Sequence, residues 1–323
     1  MSRTTNNLAP QIGAALRRGL LALVGALCLL ACEPAAQPTP VAAPAPAGAA
    51  APARPASPVF AWRAQIGASI FHLLGSVHVA RSGLYPLDPR IEGAFAGSDV
   101  LVLELSLDEA AQIAAARRMM DLGKLPDGKR LSDVLGPDTW DLLVKTQAER
   151  RQSLFGLRGF RPWFVALTLT TQALSSEGFQ AENGIDEHFR QAAVGNKRIE
   201  ALETVDGQLS LFTSLSPDAE EEMLRQTLED LGNYASELDA AFELWSTGDA
   251  VALDQLMVAP MQKEYPDLFE RLFVERNRAM TERLLQMART PGSYFVVVGA
   301  GHLVGSAGIL ELLRARGIEA RQL

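Results

Sequence analysis

Four short apolar segments, each bounded by turn residues and separated by longer helical patterns, place the strongest constraint on how this chain can fold. They lie at residues 69–74, 100–103, 197–202 and 294–298. Apolar runs of this length, flanked by Gly, Pro and Asn, are typical of buried strands. The helical stretches between them favour a parallel or mixed sheet over an antiparallel sandwich. A further edge strand is predicted at 317–321, after a helix at 307–316.

The long stretches between these segments have apolar residues at three- and four-residue spacing, which predicts helices. The predicted helices cover 108–121, 138–151, 162–174, 184–193, 217–256 and 267–288. Ser216-Pro217 marks one helix start, because a hydroxyl caps free amides and proline fits the first helical position. So much helix with so few strands predicts a single α/β domain, α+β-like in balance, whose small mixed or parallel sheet carries large helical insertions.

The N-terminal segment has the features of an export signal. Basic residues without any acid precede a 12-residue apolar run at 20–31, which is too short to span a bilayer but matches a signal-peptide core. The run ends at Cys32 in a Leu-Leu-Ala-Cys sequence that resembles the lipobox of bacterial lipoproteins. We therefore predict a signal peptide at 1–31 and lipidation of Cys32. An ordinary cleavage site further along, or an uncleaved anchor, are the alternatives.

Residues 32–58 form the next unit, with 8 Pro and 11 Ala in the 26 positions after Cys32. This composition predicts an extended tether that buries nothing, followed by a folded domain at 59–323. Glu33, where an aspartate would favour retention in the inner membrane, favours anchoring in the outer membrane with the domain facing the periplasm. The net charge of −8, with no basic cluster longer than a short pair, argues against nucleic acid as a partner.

A strand followed by Gly-x-x-His occurs twice in the chain. The first copy runs from Gly75 through Ser76 to His78, and the second is Gly299-Ala300-Gly301-His302. Glycine lets the backbone turn sharply at a strand end, and ligand sites in α/β folds assemble at the carboxyl edge of the sheet. Taken singly, a histidine in a turn is commonly a structural hydrogen-bonding group, so the repetition of the pattern carries the argument.

Two other predicted strands end in a carboxylate, Glu104 and Glu203. If the four strands are parallel neighbours, two imidazoles and two carboxylates meet at one edge, from His78, Glu104, Glu203 and His302. This donor set suits Zn²⁺, Mn²⁺ or Co²⁺ with positions left open for water. A solvent-facing acid at a strand end is the alternative for each glutamate.

Taken in order, the motifs of this chain resemble those of the TraB/GumN family across 59–323. The matching segments are 73–78, 101–104, Gly184-Ile185-Asp186, 202–204 with Gln208, Glu275-Arg276-Asn277 and 298–305. Ser76 stands where many members have threonine, which keeps the hydroxyl. The family includes the Tiki proteins, described as divalent-metal-dependent proteases. Its fold is similar to that of erythromycin esterases and of haem-binding ChaN-like lipoproteins.

The resemblance implies a role for each motif residue. The metal ligands would be His78, Glu104, Glu203 and His302, with Glu203 also a candidate general base. Arg276 would stabilise an oxyanion or hold a substrate carboxylate, or else it is a helix-surface charge paired with a neighbour. Asp186 would orient a histidine ligand or serve its helix N-terminus. The supporting positions are Gly75, Ser76, Asp186, Gly299 and Gly301.

The function implied is that of a membrane-anchored metalloprotease, which hydrolyses peptide bonds of a peptide or protein substrate through a metal-bound water. A metal-free, esterase-like hydrolase with a histidine base is a second reading. A non-catalytic lipoprotein that binds haem, a peptide or a polysaccharide is a third.

His72 and His188 are interpreted as structural. The Gly299-Ala300-Gly301 sequence does not indicate a nicotinamide cofactor, because its third glycine is misplaced and too few residues follow.

Overall fold

The computed structural model describes residues 57–106 and 108–323. The predicted signal peptide, Cys32 and nearly all of the predicted tether lie outside these residues. A six-stranded sheet has the order β4-β3-β5-β2-β1-β6. Its strands are β1 (Ala61–Ile66), β2 (Ser69–Ser76), β3 (Val100–Leu103), β4 (Arg198–Ala201), β5 (Ser293–Gly299) and β6 (Ala320–Gln322).

The four predicted inner strands are parallel neighbours. β3 pairs in parallel with β4 on one side and with β5 on the other, and β5 pairs in parallel with β2. All four residues of β3 are buried, as expected for a parallel strand covered by helices on both faces. The predicted α/β domain with a mixed sheet and helical insertions is thus confirmed, and the carboxyl ends of β2, β3, β4 and β5 form one edge.

β1 is an additional strand that was not predicted, and it pairs antiparallel with β2 after a tight turn at Gly67. Gly67 has a φ of +60°, a conformation that glycine adopts without strain. Within β1, buried residues alternate with the exposed Arg63 and Gln65. The strand therefore contains no continuous apolar run that would mark it in the sequence. β6 pairs antiparallel with β1, and it starts three residues later than predicted.

The two ends of the described domain are joined beside β1. The backbone N–H of Val59 donates to Leu323 O at 3.1 Å, and the N–H of Leu323 donates to Ala61 O at 2.9 Å. Ala61 lies opposite Leu74, and Gly75 donates its N–H to Phe60 O. The chain therefore enters the domain at the carboxyl end of β2.

Helices fill the connections between strands. Before β4 they are α1 (Pro89–Ala96), α2 (Glu109–Gly123), α3 (Pro137–Glu149), α4 (Pro162–Ser176) and α5 (Ile185–Ala193). After β4 they are α6 (Val205–Thr213), α7 (Pro217–Asp230), α8 (Tyr234–Ser246), α9 (Ala250–Leu253), α10 (Ala259–Glu264), α11 (Pro266–Phe269), α12 (Glu275–Met287) and α13 (Ile309–Arg314). The four predicted helices that became α2 to α5 are confirmed within two residues at each end. No helix of the described residues is long and apolar enough to cross a bilayer.

The predicted continuous helix at 217–256 is wrong, because two glycine-containing turns divide it. Its start is confirmed, since the Ser216 hydroxyl accepts a hydrogen bond from the Ala219 N–H at 3.2 Å. Gly248 then adopts a φ of +70°, which a helix cannot accommodate, and Asp249 caps the following helix by accepting from the Ala252 N–H. A new short helix, α9, therefore begins at Ala250.

Trp245, near the end of α8, attaches this helical insertion to the sheet. Its indole N–H donates to the carbonyl oxygen of Gly75 at 2.6 Å, in a buried position. A Cβ on Gly75 would lie 2.4 Å from the Phe60 ring, so only glycine allows β2 to pack this closely against its surroundings. The first Gly-x-x-His segment is therefore held by the Trp245 hydrogen bond on one side and by packing against Phe60 on the other.

Trp245→Phe removes the indole donor while keeping an aromatic ring, and we expect it to lower the free energy of unfolding by about 1–3 kcal/mol. Urea denaturation followed by far-UV circular dichroism measures the change. Trp140→Phe is the matched control, since the half-buried Trp140 makes no hydrogen bond with another described residue through its indole. An equal loss in both variants would contradict the anchoring role of Trp245.

Candidate active site at the carboxyl edge of the sheet

The four residues predicted to converge leave neighbouring strands at the same edge. Glu104 directly follows β3, and Glu203 lies two residues beyond β4, with its backbone N–H donating to Glu104 O at 2.9 Å. His78 lies two residues past β2, and His302 ends a short 3₁₀ turn after β5. His78, Glu104 and His302 are all buried. The parallel register of the strands is what brings the four together.

Oxygen Oε1 of Glu104 lies at the centre of the site. It accepts a hydrogen bond from the backbone N–H of Gly299 at 2.7 Å, and it is 3.8 Å from Nε2 of both His78 and His302. Burial alone would raise the pKa of Glu104, but the guanidinium of Arg276 and the imidazolium of His78, with the hydrogen bond from the Gly299 N–H, lower it. Glu104 is therefore a carboxylate at neutral pH, and Oε1 faces both rings.

His78 is oriented from behind by Asp186, near the start of α5. Its Nδ1 lies 2.8 Å from Asp186 Oδ2, and Asp186 Oδ1 accepts from the Ser76 hydroxyl at 3.0 Å. Burial alone would lower the pKa of His78, but the charges of Asp186 and Glu104 outweigh it and raise the pKa to about 9. Gly184 makes this contact possible, because a Cβ there would lie 2.1 Å from the carbonyl oxygen of His78.

His302 is oriented by Asn277, on α12. Its Nδ1 lies 2.6 Å from Asn277 Oδ1. The amide nitrogen of Asn277 donates to Ala307 O at 2.8 Å, so the amide oxygen must face the ring and accept the Nδ1 proton. Burial, followed by the charge of Arg276, lowers the pKa of His302 to about 3. His302 is thus neutral, with the lone pair of Nε2 directed toward Glu104.

Arg276, one residue before Asn277, ties the two glutamates together. It donates to Glu203 from Nε at 2.8 Å and from Nη2 at 2.7 Å, and Nη2 also donates to Glu104 Oε2 at 2.8 Å. A fourth bond runs from Nη1 to Leu272 O at 3.2 Å. The amide of Gln208 donates to Glu203 Oε2 at 2.9 Å and to Glu104 Oε2 at 3.3 Å. Arg276 is therefore a buried, engaged side chain and not a helix-surface charge.

Gly299 keeps open the space between the donor atoms. A Cβ on Gly299 would lie 3.1 Å from His78 Nε2, 3.3 Å from Glu104 Oε1 and 3.6 Å from His302 Cδ2. Two donors at about 2.1 Å from one ion can be at most about 4.2 Å apart, so the 3.8 Å separations are close to that limit. As the side chains stand, no group of three or more His, Cys, Asp or Glu within the described residues is arranged to hold a metal ion.

Each predicted site residue now has a position. The connected network contains Ser76, His78, Glu104, Asp186, Glu203, Arg276, Gly299 and His302. Gly75 and Gly301 touch it only through packing: a Cβ on Gly301 would lie 2.9 Å from the Phe273 ring. His72 lies within β2 opposite Arg63, and His188 stacks on Tyr85 with ring centroids 3.8 Å apart, so both lie outside the network.

Sequence reasoning assigned no role to Gln208 or Asn277, which the structure places in direct contact with the predicted residues. Both occur in the motifs quoted above, Gln208 five residues after Glu203 and Asn277 directly after Arg276. That proximity was the available signal. Their amide groups carry no charge and match no metal-ligand spacing, so only the folded chain reveals which atoms they contact.

The fold and this edge together define a class: a single-domain α/β protein whose parallel strands end in a buried histidine–glutamate–histidine cluster backed by an arginine. The chain belongs to the TraB/PrgY/gumN family, whose family model matches residues 60–322. The match covers all six strands of the sheet and every residue of the cluster.

Curated relatives are similar over most of this chain. "Uncharacterized protein YbaP" of Escherichia coli (strain K12) is 27% identical, over 76% of this chain and 88% of its own length. An "Uncharacterized protein" of Treponema pallidum is 19% identical, over 79% and 80%. "Metalloprotease TIKI homolog" of Amphimedon queenslandica is 23% identical, over 82% of this chain and 61% of its own. No solved structure matches the chain significantly.

Arg276→Met removes the cation between two buried carboxylates, and we expect it to lower the free energy of unfolding by about 3–5 kcal/mol, as when one partner of a buried ion pair is lost. Urea denaturation at neutral pH measures the change. Arg278→Met is the matched control on the same helix, because the pair of Arg278 with Glu270 is exposed and is expected to contribute less than about 1 kcal/mol. Equal losses of stability in the two variants would contradict the conclusion that Arg276 stabilises the two buried glutamates.

Proposed function

We propose that this protein is a divalent-metal-dependent hydrolase that cleaves peptide bonds. The observation that carries the proposal is the convergence of His78 Nε2, His302 Nε2 and Glu104 Oε1 on the space above Gly299. Each ring has its other nitrogen beside a polar partner, Asp186 at 2.8 Å for His78 and Asn277 at 2.6 Å for His302, and metal-ligating histidines almost always have such a partner. The similarity to a relative named as a metalloprotease supports the same reading.

The residues that would hold the metal are His78, Glu104 and His302, and their chemistry fits Zn²⁺, Mn²⁺ or Co²⁺. His78, whose pKa is raised, would release its Nε2 proton when the ion binds. The ion supplies Lewis acidity, which activates water and polarises a carbonyl group. Glu203 is a weaker candidate ligand than the sequence implied, because both of its oxygens accept hydrogen bonds from Arg276.

The chain's own residues supply orientation and charge. Asp186 and Asn277 fix the two rings, and Arg276 keeps Glu104 ionised. In hydrolysis the hydroxyl of water joins the carbonyl carbon while the C–N bond breaks, and a proton must reach the departing amine. Glu203, the candidate general base, is the carboxylate that would carry that proton, since Glu104 is held ionised as a ligand. Arg276 acts here by holding carboxylates, since four of its N–H groups are engaged, which leaves little for an oxyanion.

We also propose that Cys32 carries a lipid that anchors the domain in the outer membrane, facing the periplasm. The lipobox-like sequence and Glu33 support this, and the substrate would then be a peptide or protein of the cell envelope.

Purified full-length protein should contain close to one divalent ion per chain and should cleave members of a peptide library in Mn²⁺, Co²⁺ or Zn²⁺. Inductively coupled plasma mass spectrometry measures the ion, and mass spectrometry of the peptides measures cleavage. His302→Ala should lose both, because a ligand is removed. Asn277→Leu should weaken metal binding or activity by about 10–100-fold, as is typical when the partner that orients a ligand is lost.

The matched control is His188→Ala, because this histidine lies outside the network and should keep both metal and activity. Cleavage that survives chelation would support a metal-free, esterase-like hydrolase instead. Failure to bind metal or to cleave, together with a Soret band on haem titration or retention of an intact peptide or polysaccharide, would support a binding lipoprotein.

Lipidation of Cys32 is tested separately. Radiolabelled palmitate should be incorporated into the wild-type protein in a bacterial host and should be absent from Cys32→Ser. The labelled protein should sediment with the outer-membrane fraction on a sucrose gradient. Label retained by the variant, or export of a soluble wild-type protein, would contradict the anchor.

A further inference from the structure

A small cavity of about 50 Å³ opens beside the two histidines. Its polar side is formed by the Gly-x-x-His segments, including His78 and His302. Its other side is an apolar wall made of Leu238 and Ala241 from α8, Leu253 from α9, and Met257 and Phe273. We call this space the apolar cavity. Apart from the two histidines, no ionisable side chain among the described residues lines it.

Two π-helical turns build the outer part of this wall. Asp254–Val258 is a π turn between α9 and α10 and carries Met257, and Glu270–Val274 is a π turn between α11 and α12 and carries Phe273. Such turns are rare and occur frequently at functional sites, because they push an extra residue out of the helix. Here each π turn directs one large apolar side chain to the same cavity.

The wall is in direct contact with the reactive edge. The Phe273 ring centroid lies 5.3 Å from that of His302. A Cβ on Gly301 would lie 2.9 Å from Phe273 and 3.4 Å from Val258, so the glycine allows this wall to approach. A substrate carbonyl placed beside the two histidines, which line the cavity, would bring its neighbouring side chain next to the apolar wall.

The volume sets the kind of side chain that can enter. A cavity of about 150 Å³ in another protein binds benzene, and this one, at about 50 Å³, is one-third of that size. An aromatic ring is too large, and a charged side chain would lose its hydration without gaining a partner. A short aliphatic group of one to three carbons fits both the volume and the lining.

We propose that the apolar cavity is the substrate-specificity subsite, which binds the short aliphatic side chain, such as that of alanine or valine, next to the scissile bond. Met257 and Phe273 set its upper size limit. This inference rests on the proposed peptide-bond hydrolysis for its substrate, while binding to the cavity can be measured without any turnover.

The binding experiment uses full-length protein carrying ¹³C-methyl methionine. N-acetylvalinamide should shift the methyl resonance of Met257, whereas N-acetylphenylalaninamide should not, and the exposed Met120 methyl on α2 is the internal control. Ala241→Leu fills the cavity and should weaken valinamide binding at least tenfold. Met257→Ala enlarges it and should admit the phenylalanine ligand, which is measured by saturation-transfer difference NMR on the ligand because this variant lacks the Met257 methyl. Because Met257 is only half-buried, this variant tests the proposal even if Ala241→Leu destabilises the fold.

Cleavage of peptides that vary only at the residue before the scissile bond provides the second readout. Wild-type protein should prefer alanine or valine over phenylalanine by at least tenfold, within the range of about 10–200-fold that one methylene can produce in an apolar pocket. Met257→Ala should shift the preference toward larger residues, and Val251→Ala, at an exposed position outside the catalytic cluster, should not.

The two readouts separate the two proposals. A Met257 shift with valinamide but no cleavage of any peptide would overturn the hydrolase and leave the subsite standing. Cleavage without residue preference, together with an unresponsive Met257, would overturn the subsite and leave the hydrolase standing. Binding of the phenylalanine ligand as tight as that of the valine ligand in the wild-type protein would also overturn the subsite.

Discussion

The buried carboxylate of Glu104 is the feature on which the candidate site depends. A carboxylate so deep in the protein must be paired and hydrogen-bonded, because its desolvation is otherwise too costly. Its partners come from three distant parts of the chain: Gly299 from β5, Gln208 from α6 and Arg276 from α12. The helical insertions between β4 and β5 therefore do more than cover the sheet. They carry the cation and the amide that allow the acid to be buried beside two histidines.

Much of the fold could be predicted because parallel strands and crossover helices leave strong local signals. β3 and β5 are continuous apolar runs, and α4 has a regular apolar spacing. The errors occur where a local pattern competes with tertiary context. β1 alternates in character and is recognisable mainly through its pairing with β2. The predicted helix at 217–256 kept its apolar spacing across Gly248, where the backbone conformation ends the helix.

The candidate site could be anticipated in outline from the repeated Gly-x-x-His and from glutamates at strand ends. The sequence could not show that the two glutamates have different roles. Spacing treats Glu104 and Glu203 alike, yet Glu104 faces the imidazoles while Glu203 faces Arg276. The contact of Asn277 with His302 and the apolar cavity could not be predicted either, because each is formed by segments that are far apart in sequence. The π turns likewise leave no periodic signal.

The entry point of the chain has a consequence for how substrates reach the site. Because β1 is antiparallel to β2, Ala61 lies beside the carboxyl end of β2, near the first Gly-x-x-His segment. The roughly 25 residues between Cys32 and Ser57 can span at most about 90 Å. A lipid at Cys32 would confine the reactive edge to a thin layer above the membrane. Within that layer, substrates held by the same bilayer would meet the site at a high effective concentration, whereas freely diffusing proteins would gain no such advantage.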